Sequence, residues 1–556
     1  MNSVKKIIAL LLALVLCVGT LSACNSDPKE TTQATTKATE GTTAATTEAT
    51  TQATEATPLT NAERYPIDFD GTLTVMTGRT TPSESANWTR WEEWTGVDVE
   101  WVTSSAEQTP LVFLDKSQMP DMFFQSQGLT VAQINEYGQG GLLINYMDYL
   151  DKMPNLAARY AEDPMTFDAV KDANGDVYTL PYICDTLTMC SNLFYIRTDM
   201  TKEAGINELP TTIEGFLEMC ETLQTYYADV EGYEPMVCNG EASIKYNGPY
   251  SNFFFPAFGE LMRSDITTNA DWTKIEIGFA TEQYKHYLEF MHTLYSEGYM
   301  DDECFVSESN TNKARLINKT TTMNPYATYL EPSNFESGES EFQTYPPLSS
   351  QYQSEIRWAN PNHYLSGSYM ISADCSDLDA ALAFMDALFA IEEDPLNAEG
   401  TVWGISLWLG ELGVDYTVNK EEGSWVCLPH EGFDSATNWL HTAGSGSAAY
   451  LVWPYYEASG SGQEKKALGT RDILMPYGVD VFYTTLLTLN QDEQDIYNDC
   501  WTDIENKVNE MNAAFITGQA DLEKDWDSYI NSLYDMGLQD VIDVYQAALD
   551  RYNAAK

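Results

Sequence analysis

Positive charge is scarce in this chain of 556 residues, which sets 29 Lys and Arg against 84 Asp and Glu for a formal net charge of −55. Such a surface repels polyanions, so nucleic-acid binding by phosphate neutralisation is excluded, and an anionic membrane face finds nothing to hold. Histidine is scarcer still, with five residues. No His-Glu-x-x-His pair occurs, and His286 and His292 are six apart, on different faces of any helix, so a catalytic zinc site lacks material. A Gly-x-Ser-x-Gly elbow, a P-loop and a Gly-x-Gly-x-x-Gly turn are also missing; Gly138-Gln-Gly-Gly141 fails at the last position. The ten cysteines contain no Cys-x-x-Cys, which removes zinc ribbons and small disulfide scaffolds and leaves both disulfides and buried thiols open.

What is present begins with an address. Lys5 and Lys6 precede an apolar run from Ile7 to Val18, about a dozen residues and too short to span a bilayer, so residues 1–23 read as an export signal. Its end, Leu21-Ser22-Ala23-Cys24, resembles the lipobox of bacterial lipoproteins. That resemblance implies that Cys24 is lipidated and becomes the mature N-terminus, a membrane anchor on the extracellular face with no transmembrane helix. From Thr31 to Thr60, 14 residues are Thr, 7 are Ala and none is aromatic. Such a segment buries too little apolar surface to offset its conformational entropy, so residues 24–64 are expected to be a disordered linker. About 36 residues of flexible coil reach about 30–35 Å, enough to hold a folded body clear of the anchor.

The folded part is expected to begin near Tyr65. Hydrophobic residues make up 43% of the chain and aromatics 12%, ample for large cores. Thr72–Thr77 reads as a buried strand ended by Gly78-Arg79, residues 85–96 as a helix carrying Trp88, Trp91 and Trp94, and Val97–Val102 as a second strand. Pro120–Gln125 is a further strand, running into Gly128 and a helix from Thr130. This alternation is the α/β signature, in which ligands sit beyond the carboxyl ends of the strands, so the loops at 77–80 and 125–128 are placed to touch one. Asn174-Gly175 marks a hairpin turn, and Thr211 or Thr212 caps a helix running through Tyr226. Asp172, Asn174 and Asp176 have the spacing of a calcium loop, but Gly175 falls at position four and Ile183 at position twelve, so the expectation is a solvated turn and no metal.

The segments "NGDVYTLPY", "LFYIRTDM", "AGI", "LPTTIEGFLEMCETL", "YSEGYMDDECF" and the closing "WDSYINSLYDMGLQDVIDVYQAALDRY" occur in an order that resembles the extracellular solute-binding lipoproteins of ATP-driven sugar importers. The resemblance runs over roughly residues 65 to 556 and is nearest the large Gram-positive branch of the maltose-binding-protein superfamily. It implies a type II periplasmic-binding-protein-like fold: two α/β lobes, a hinge and a central ligand cleft. Lobe one would take 65–186 and 365–465, lobe two 187–364 and 466–556, with crossings near Asp185 and Tyr364–Ser368. It further implies a non-catalytic protein without cofactor that captures an oligosaccharide and delivers it to ABC permease subunits. A peptide- or amino-acid-binding lipoprotein and a surface glycoside hydrolase with paired carboxylates are the alternatives.

Sugars offer apolar C–H faces beside hydroxyls, so their sites combine aromatic platforms with hydrogen-bonding side chains. Arg79, Trp88 and Trp91 follow the first strand, Gln125 lies in a post-strand loop, and Asp185 marks a crossing. By resemblance, Asn324, Tyr326 and Tyr329 belong to a cleft stretch that stacks on sugar. Trp358 and His363 precede the return crossing, and Trp403 lies where the branch has an aromatic-rich loop. Trp94, Trp272, Trp501 and Trp526 fall in amphipathic helical patterns and are expected to pack. The acidity favours a neutral glycan over a uronic-acid polymer unless Arg79 and Arg357 line the cleft.

Overall fold

The computed structural model describes residues 60–78, 85–124, 128–162, 164–184, 194–238, 253–261, 265–324, 342–360, 364–390, 410–411, 413–419, 424–432, 450–451 and 470–554. The signal, Cys24 and the linker up to residue 59 therefore lie outside the described residues. The strands in chain order are β1 (Thr72–Thr77), β2 (Asp98–Thr103), β3 (Met122–Phe124), β4 (Leu180–Cys184), β5 (Tyr195–Arg197), β6 (Glu234–Met236), β7 (Ile266–Thr268) and β8 (Ile275–Ile277). They continue as β9 (Thr321–Asn324), β10 (Phe342–Thr344), β11 (Trp358–Ala359), β12 (Tyr364–Ile371), β13 (Tyr416–Asn419), β14 (Ser424–Cys427), β15 (Tyr450–Leu451) and β16 (Gly478–Val479). The principal helices are α1 (Ala86–Thr95), α2 (Val131–Gln139), α3 (Pro154–Glu162), α4 (Ile213–Tyr226), α5 (Glu282–Ser296) and α6 (Leu378–Asp386), followed by the C-terminal α7 (Gln491–Ile516), α8 (Leu522–Asp535) and α9 (Leu538–Ala554).

Two sheets organise the body. The larger has six strands in the order β15-β4-β12-β3-β1-β2, the smaller four in the order β10-β5-β9-β6. In the larger, β1 pairs in parallel with β2 and β3, β15 with β4, and only β12 runs against its neighbours. In the smaller, β6 is parallel to β9 while β5 opposes both β9 and β10. The chain leaves the larger sheet at the end of β4 and re-enters it at the start of β12, where Tyr364 pairs with Ile183, so both passages lie on one edge. Inside β12 the register shifts between Ser366 and Tyr369, and Ser368 takes a left-handed φ of 51° there.

Local sequence explains the elements around the first sheet. Leu73 and Val75 point into the interior and Met76 and Thr77 are buried as well, the two-sided burial of a central parallel strand. α1 buries Trp88, Trp91 and Thr95, spaced three and four apart on one face, and stops at Gly96 with φ 75°. Any Cβ at that position would run into the Ile67 carbonyl, so the stop requires glycine. Asp121, just before β3, accepts from the Thr74 N–H and hydroxyl at 2.8 Å and from the Ser376 N–H at 2.7 Å, stitching β1 to the segment after β12. Burial alone would raise its pKa, but these donors outweigh it and hold the carboxyl below its ordinary value. Asp386, fully buried at the end of α6, accepts from Arg64, Asn155 and the Leu156 N–H at 2.8–2.9 Å and so ties the start of the folded chain to α3.

The second sheet packs its rings together: Phe194, Phe216, Phe253, Phe254, Phe290 and Tyr345 form edge-on and stacked pairs 4.6–6.3 Å apart. α4 is capped by Thr212, whose hydroxyl accepts from the Gly215 N–H. α7 starts in a capping box between Asn490 and Glu493 and packs along α5 and α9. One sequence expectation needs correction. Trp272 is in a turn between β7 and β8 with φ 55°, not in a helix, and its ring meets Phe482 at 5.6 Å. In the Asp172 turn, bridged by Lys171 and Val177, Ala173, Asn174 and Gly175 are exposed as a solvated turn requires, while Asp172 itself is buried. Cys220, Cys238, Cys304, Cys375 and Cys500 are free thiols, and no described helix is long and apolar enough to cross a membrane.

Candidate ligand-binding groove

The C-terminal helices belong by packing to α5, yet α7 also touches α2, the helix that follows β3 of the larger sheet. Thr130 caps α2, accepting from the Gln133 N–H, and so fixes the helix's start just past the carboxyl end of β3. Opposite it, the segment 484–490 leads into α7 and is fastened to the larger sheet's body. The Thr488 hydroxyl donates to the Lys171 carbonyl at 2.6 Å, and the Tyr552 hydroxyl of α9 donates to the buried Asp168 at 2.8 Å. Arg551 clamps Glu493 with two hydrogen bonds of 2.6–2.7 Å and donates to the Thr488 carbonyl, which makes this junction a rigid floor.

Above that floor lies a groove of about 800 Å³ between α2 and the C-terminal helices, within the size range of small-molecule sites. Thr130, Gln133 and Glu136 line one wall; Gln491, Gln494, Tyr497 and Asn498 on α7 and Tyr545 on α9 line the other. The α7 positions recur at helical spacing, so one face presents them all. Their amides are oriented by bonds along the helix, Gln491 to Asp495 at 2.8 Å and Gln494 to Asn498 at 2.9 Å. Tyr497 stacks on Trp501 at 5.2 Å and meets Tyr545 edge-on at 5.7 Å. Burial, reinforced by Tyr545 and Asp265, pushes the Tyr497 hydroxyl well up, and burial with Asp265 pushes Tyr545 up to about 12, so both remain neutral donors. Among the described lining residues Glu136 carries the only charge. The combination offers hydroxyl and amide hydrogen bonds beside ring surface, with no described cation to clamp an anion.

The residues expected to bind ligand fall elsewhere or cannot be placed. Trp88 is 2% exposed, with Trp101 at 4.7 Å, Phe124 edge-on at 4.8 Å and Phe384 nearly parallel at 6.4 Å, so no ring face is left for a sugar. Trp91 is fully buried beside Trp94. Both are corrected to core residues, because the face of α1 that carries them is what docks the helix. Trp358 is buried too, on β11 opposite Gly478 and 6.3 Å from Phe253. Asn324 ends β9 opposite Tyr195 and is 3% exposed. Arg79, Gln125, Asp185, Tyr326, Tyr329, His363 and Trp403 lie outside the described residues. The sequence reading missed the groove, although amides at 491, 494 and 498 beside Tyr497 were a visible helical stripe.

A family model described as bacterial extracellular solute-binding protein matches residues 88–401. Among curated proteins, no significant match to the chain is found. Similar solved structures include the Streptococcus pneumoniae ABC-transporter substrate-binding protein FusA in complex with kestose, at TM-score 0.68 and 20% identity, covering 87% of this chain and 100% of that one. A human-milk-oligosaccharide-binding solute-binding protein of Bifidobacterium longum infantis has TM-score 0.70 and 15% identity over 87% of this chain and 99% of that one. The alginate-binding protein AlgQ2 has TM-score 0.62 and 17% identity over 86% and 98%. At these identities the likeness is one of fold: paired α/β bodies with a mixed sheet in each.

Proposed function

This chain belongs to the bacterial extracellular solute-binding proteins, and from that premise we propose that it captures a neutral oligosaccharide and delivers it to the permease subunits of an ABC importer. The observation that carries the reading is the groove itself: about 800 Å³, walled by amides, hydroxyls and two tyrosines, with a single charged residue among those described. A peptide would need fixed charges for its termini and a uronic-acid chain would need cations, and the described lining supplies neither. FusA, described in complex with kestose, and the Bifidobacterium protein, described as HMO-binding, share the fold.

On this reading the lobes are 65–186 with 365–465 and 187–364 with 466–556. A ligand that touches both lobes only when they are shut drives closure, and the closed form is the one a permease would engage. Cys24 carries the lipid, and the Thr-rich linker lets the body sample the space above the membrane. Mass spectrometry of the membrane-extracted protein, finding a diacylglyceryl Cys24, checks the anchor. A thermal-shift screen against glycan and peptide panels checks the ligand: at 100 times its Kd a true ligand stabilises by about 2.7 kcal/mol. Shifts with peptides and none with glycans would overturn the sugar reading.

A further inference from the structure

On the lobe reading above, the chain passes between the two bodies three times, and the strands that carry the passages lie side by side at one edge of the larger sheet. β4 runs outward, β12 returns beside it, and β15 runs outward on the far side of β4, with Tyr364 and Tyr450 both paired with Ile183. Such a ribbon bends where its ladder is thinnest, and the register shows where that is. At Tyr369–Ile371, β12 has a partner on each side: Leu180 on β4, and Phe123 and Met122 on β3. At Tyr364–Ser366 its one described partner is β4. Between the two stretches, three steps along β12, from Ser366 to Tyr369, answer one step along β4, from Pro181 to Leu180, so two residues stand outside the ladder as a bulge. Pro181, on the facing rung, has no N–H to contribute.

The backbone is left-handed at the same point. Three described non-glycine residues have positive φ: Trp272 at 55°, Lys319 at 59° and Ser368 at 51°. Trp272 sits in the β7–β8 turn and Lys319 two residues past a helix that ends at Ile317, places where such a backbone reverses or stops the chain. Ser368 lies inside a strand and does neither, so its strained torsion serves the bulge. Just beyond it the strand is fixed. Tyr369, Met370 and Ile371 are fully buried, the Tyr369 ring meets Phe124 edge-on at 4.6 Å, and its carbonyl accepts from the Tyr146 hydroxyl at 3.3 Å. A clamped stretch next to a thin ladder confines bending to the residues between them.

We propose that the bulge at Ser366–Tyr369 is the pivot of lobe closure and that the Ser368 backbone is the torsion that turns. The inference rests on the two-lobe reading and adds a place and a residue to it. Ser368 lines no part of the groove, so a change there acts on the balance of open and closed forms and leaves the ligand contacts alone. Affinity for every ligand then moves by one factor, because each draws on the same closure equilibrium.

Hydrogen–deuterium exchange of the full mature chain, read by mass spectrometry, tests the pivot without any ligand. In wild type, peptides over 181–183 and 364–366 should exchange roughly tenfold faster than those over 122–124 and 369–371. Ser368→Gly keeps the left-handed backbone and opens further torsions to it. It should speed exchange of the ribbon peptides about threefold, leave 369–371 unchanged, and hold or raise the melting temperature. Slowed exchange on both sides, the signature of strain relieved at a fixed corner, would overturn the pivot, as would equal exchange along the whole of β12 in wild type. Calorimetric titration with maltotriose, raffinose and mannotriose adds a second arm: those that bind wild type should bind Ser368→Gly with affinity shifted by a common factor of about three. Unequal factors or unchanged affinity would overturn the pivot while leaving capture intact. If none of the three binds wild type, that result counts against the sugar reading, and the exchange data decide the pivot by themselves.

Discussion

The aromatic cluster on the six-stranded sheet and the tyrosine pair of the α2–α7 groove use similar side chains to opposite ends. In the cluster, Trp88, Trp101, Phe124, Tyr369 and Phe384 cover one another's faces and edges at 4.6–6.4 Å. In the groove, Tyr497 has Trp501 along one side and Tyr545 at an edge, and the two tyrosines still line open space. A ring whose faces are consumed by neighbours contributes cohesion, and one with a face left over can contribute recognition. Chemistry of the residue does not separate the two roles; the number of partners does.

The largest effect should therefore come from the cluster. Trp88→Ala leaves a cavity among Trp101, Phe124 and Phe384 and should cost about 3–5 kcal/mol of unfolding free energy. Urea denaturation followed by tryptophan fluorescence measures it. Normal stability combined with lost glycan affinity would return Trp88 to the ligand side and break the comparison.

Second comes a half-buried carboxyl. Glu260 is pushed up to about 7 from its ordinary 4.5, by burial first and by Glu276 second, with Arg357 working against both. A folded-state pKa above the unfolded value means that the fold holds the proton more tightly between those limits. Its stability is greatest below about 4.5 and falls as pH rises through 7, on the order of 3 kcal/mol for this group. Glu260→Gln should flatten that slope, gaining on wild type at pH 8 and not at pH 4 in urea titrations at both values. An unchanged slope would mean that this side chain is wetter than its setting suggests.

These contrasts also explain what could be read in advance. Strands at 72–77 and 122–124, the helix that Thr212 caps and the stop at Gly96 depend on neighbours within a turn or two, so pattern and capping chemistry reveal them. Trp88 was correctly placed beside the first strand, but the spacing that marks 88, 91 and 95 as one face says only that the face is covered, not by what. Phe384, nearly three hundred positions away, decides it. The groove is harder still, since Gln133 and Gln494 meet only after the whole chain between them has folded. At the 172–176 turn the pattern reads the exposed residues 173–175 correctly, but the burial of Asp172 is set by Gln139, 33 positions away and not local to the Asp-Asn-Asp pattern.

A smaller and differently directed effect is expected at Tyr497. Tyr497→Ala should weaken glycan binding about tenfold, or ~1.4 kcal/mol, and lower stability by about 0.5–1.5 kcal/mol through the lost Trp501 and Tyr545 pairs. Tyr497→Phe should keep most of both, isolating the hydroxyl. Calorimetric titration and urea melts on the same preparations check the pair. A stability loss as large as that of Trp88→Ala would make the groove tyrosines core residues and erase the distinction drawn above.

The smallest effect tests whether the groove is one space. Gln494 is half-buried, lines both the larger groove and a smaller cavity of about 170 Å³ beside it, and donates one of its two amide N–H groups to Asn498, leaving its carbonyl as acceptor. Removing one such acceptor typically costs about 0.5–1.5 kcal/mol of binding, and away from the core the fold should change by less than about 0.5 kcal/mol. Because Gln494 stands where the two spaces join, Gln494→Ala should weaken short and long glycans by the same factor. Titration of neutral glycans of increasing length against wild type and variant measures it. If Gln494→Ala instead spares the shorter glycans, only longer chains reach the junction, and the two spaces are separate parts of the site.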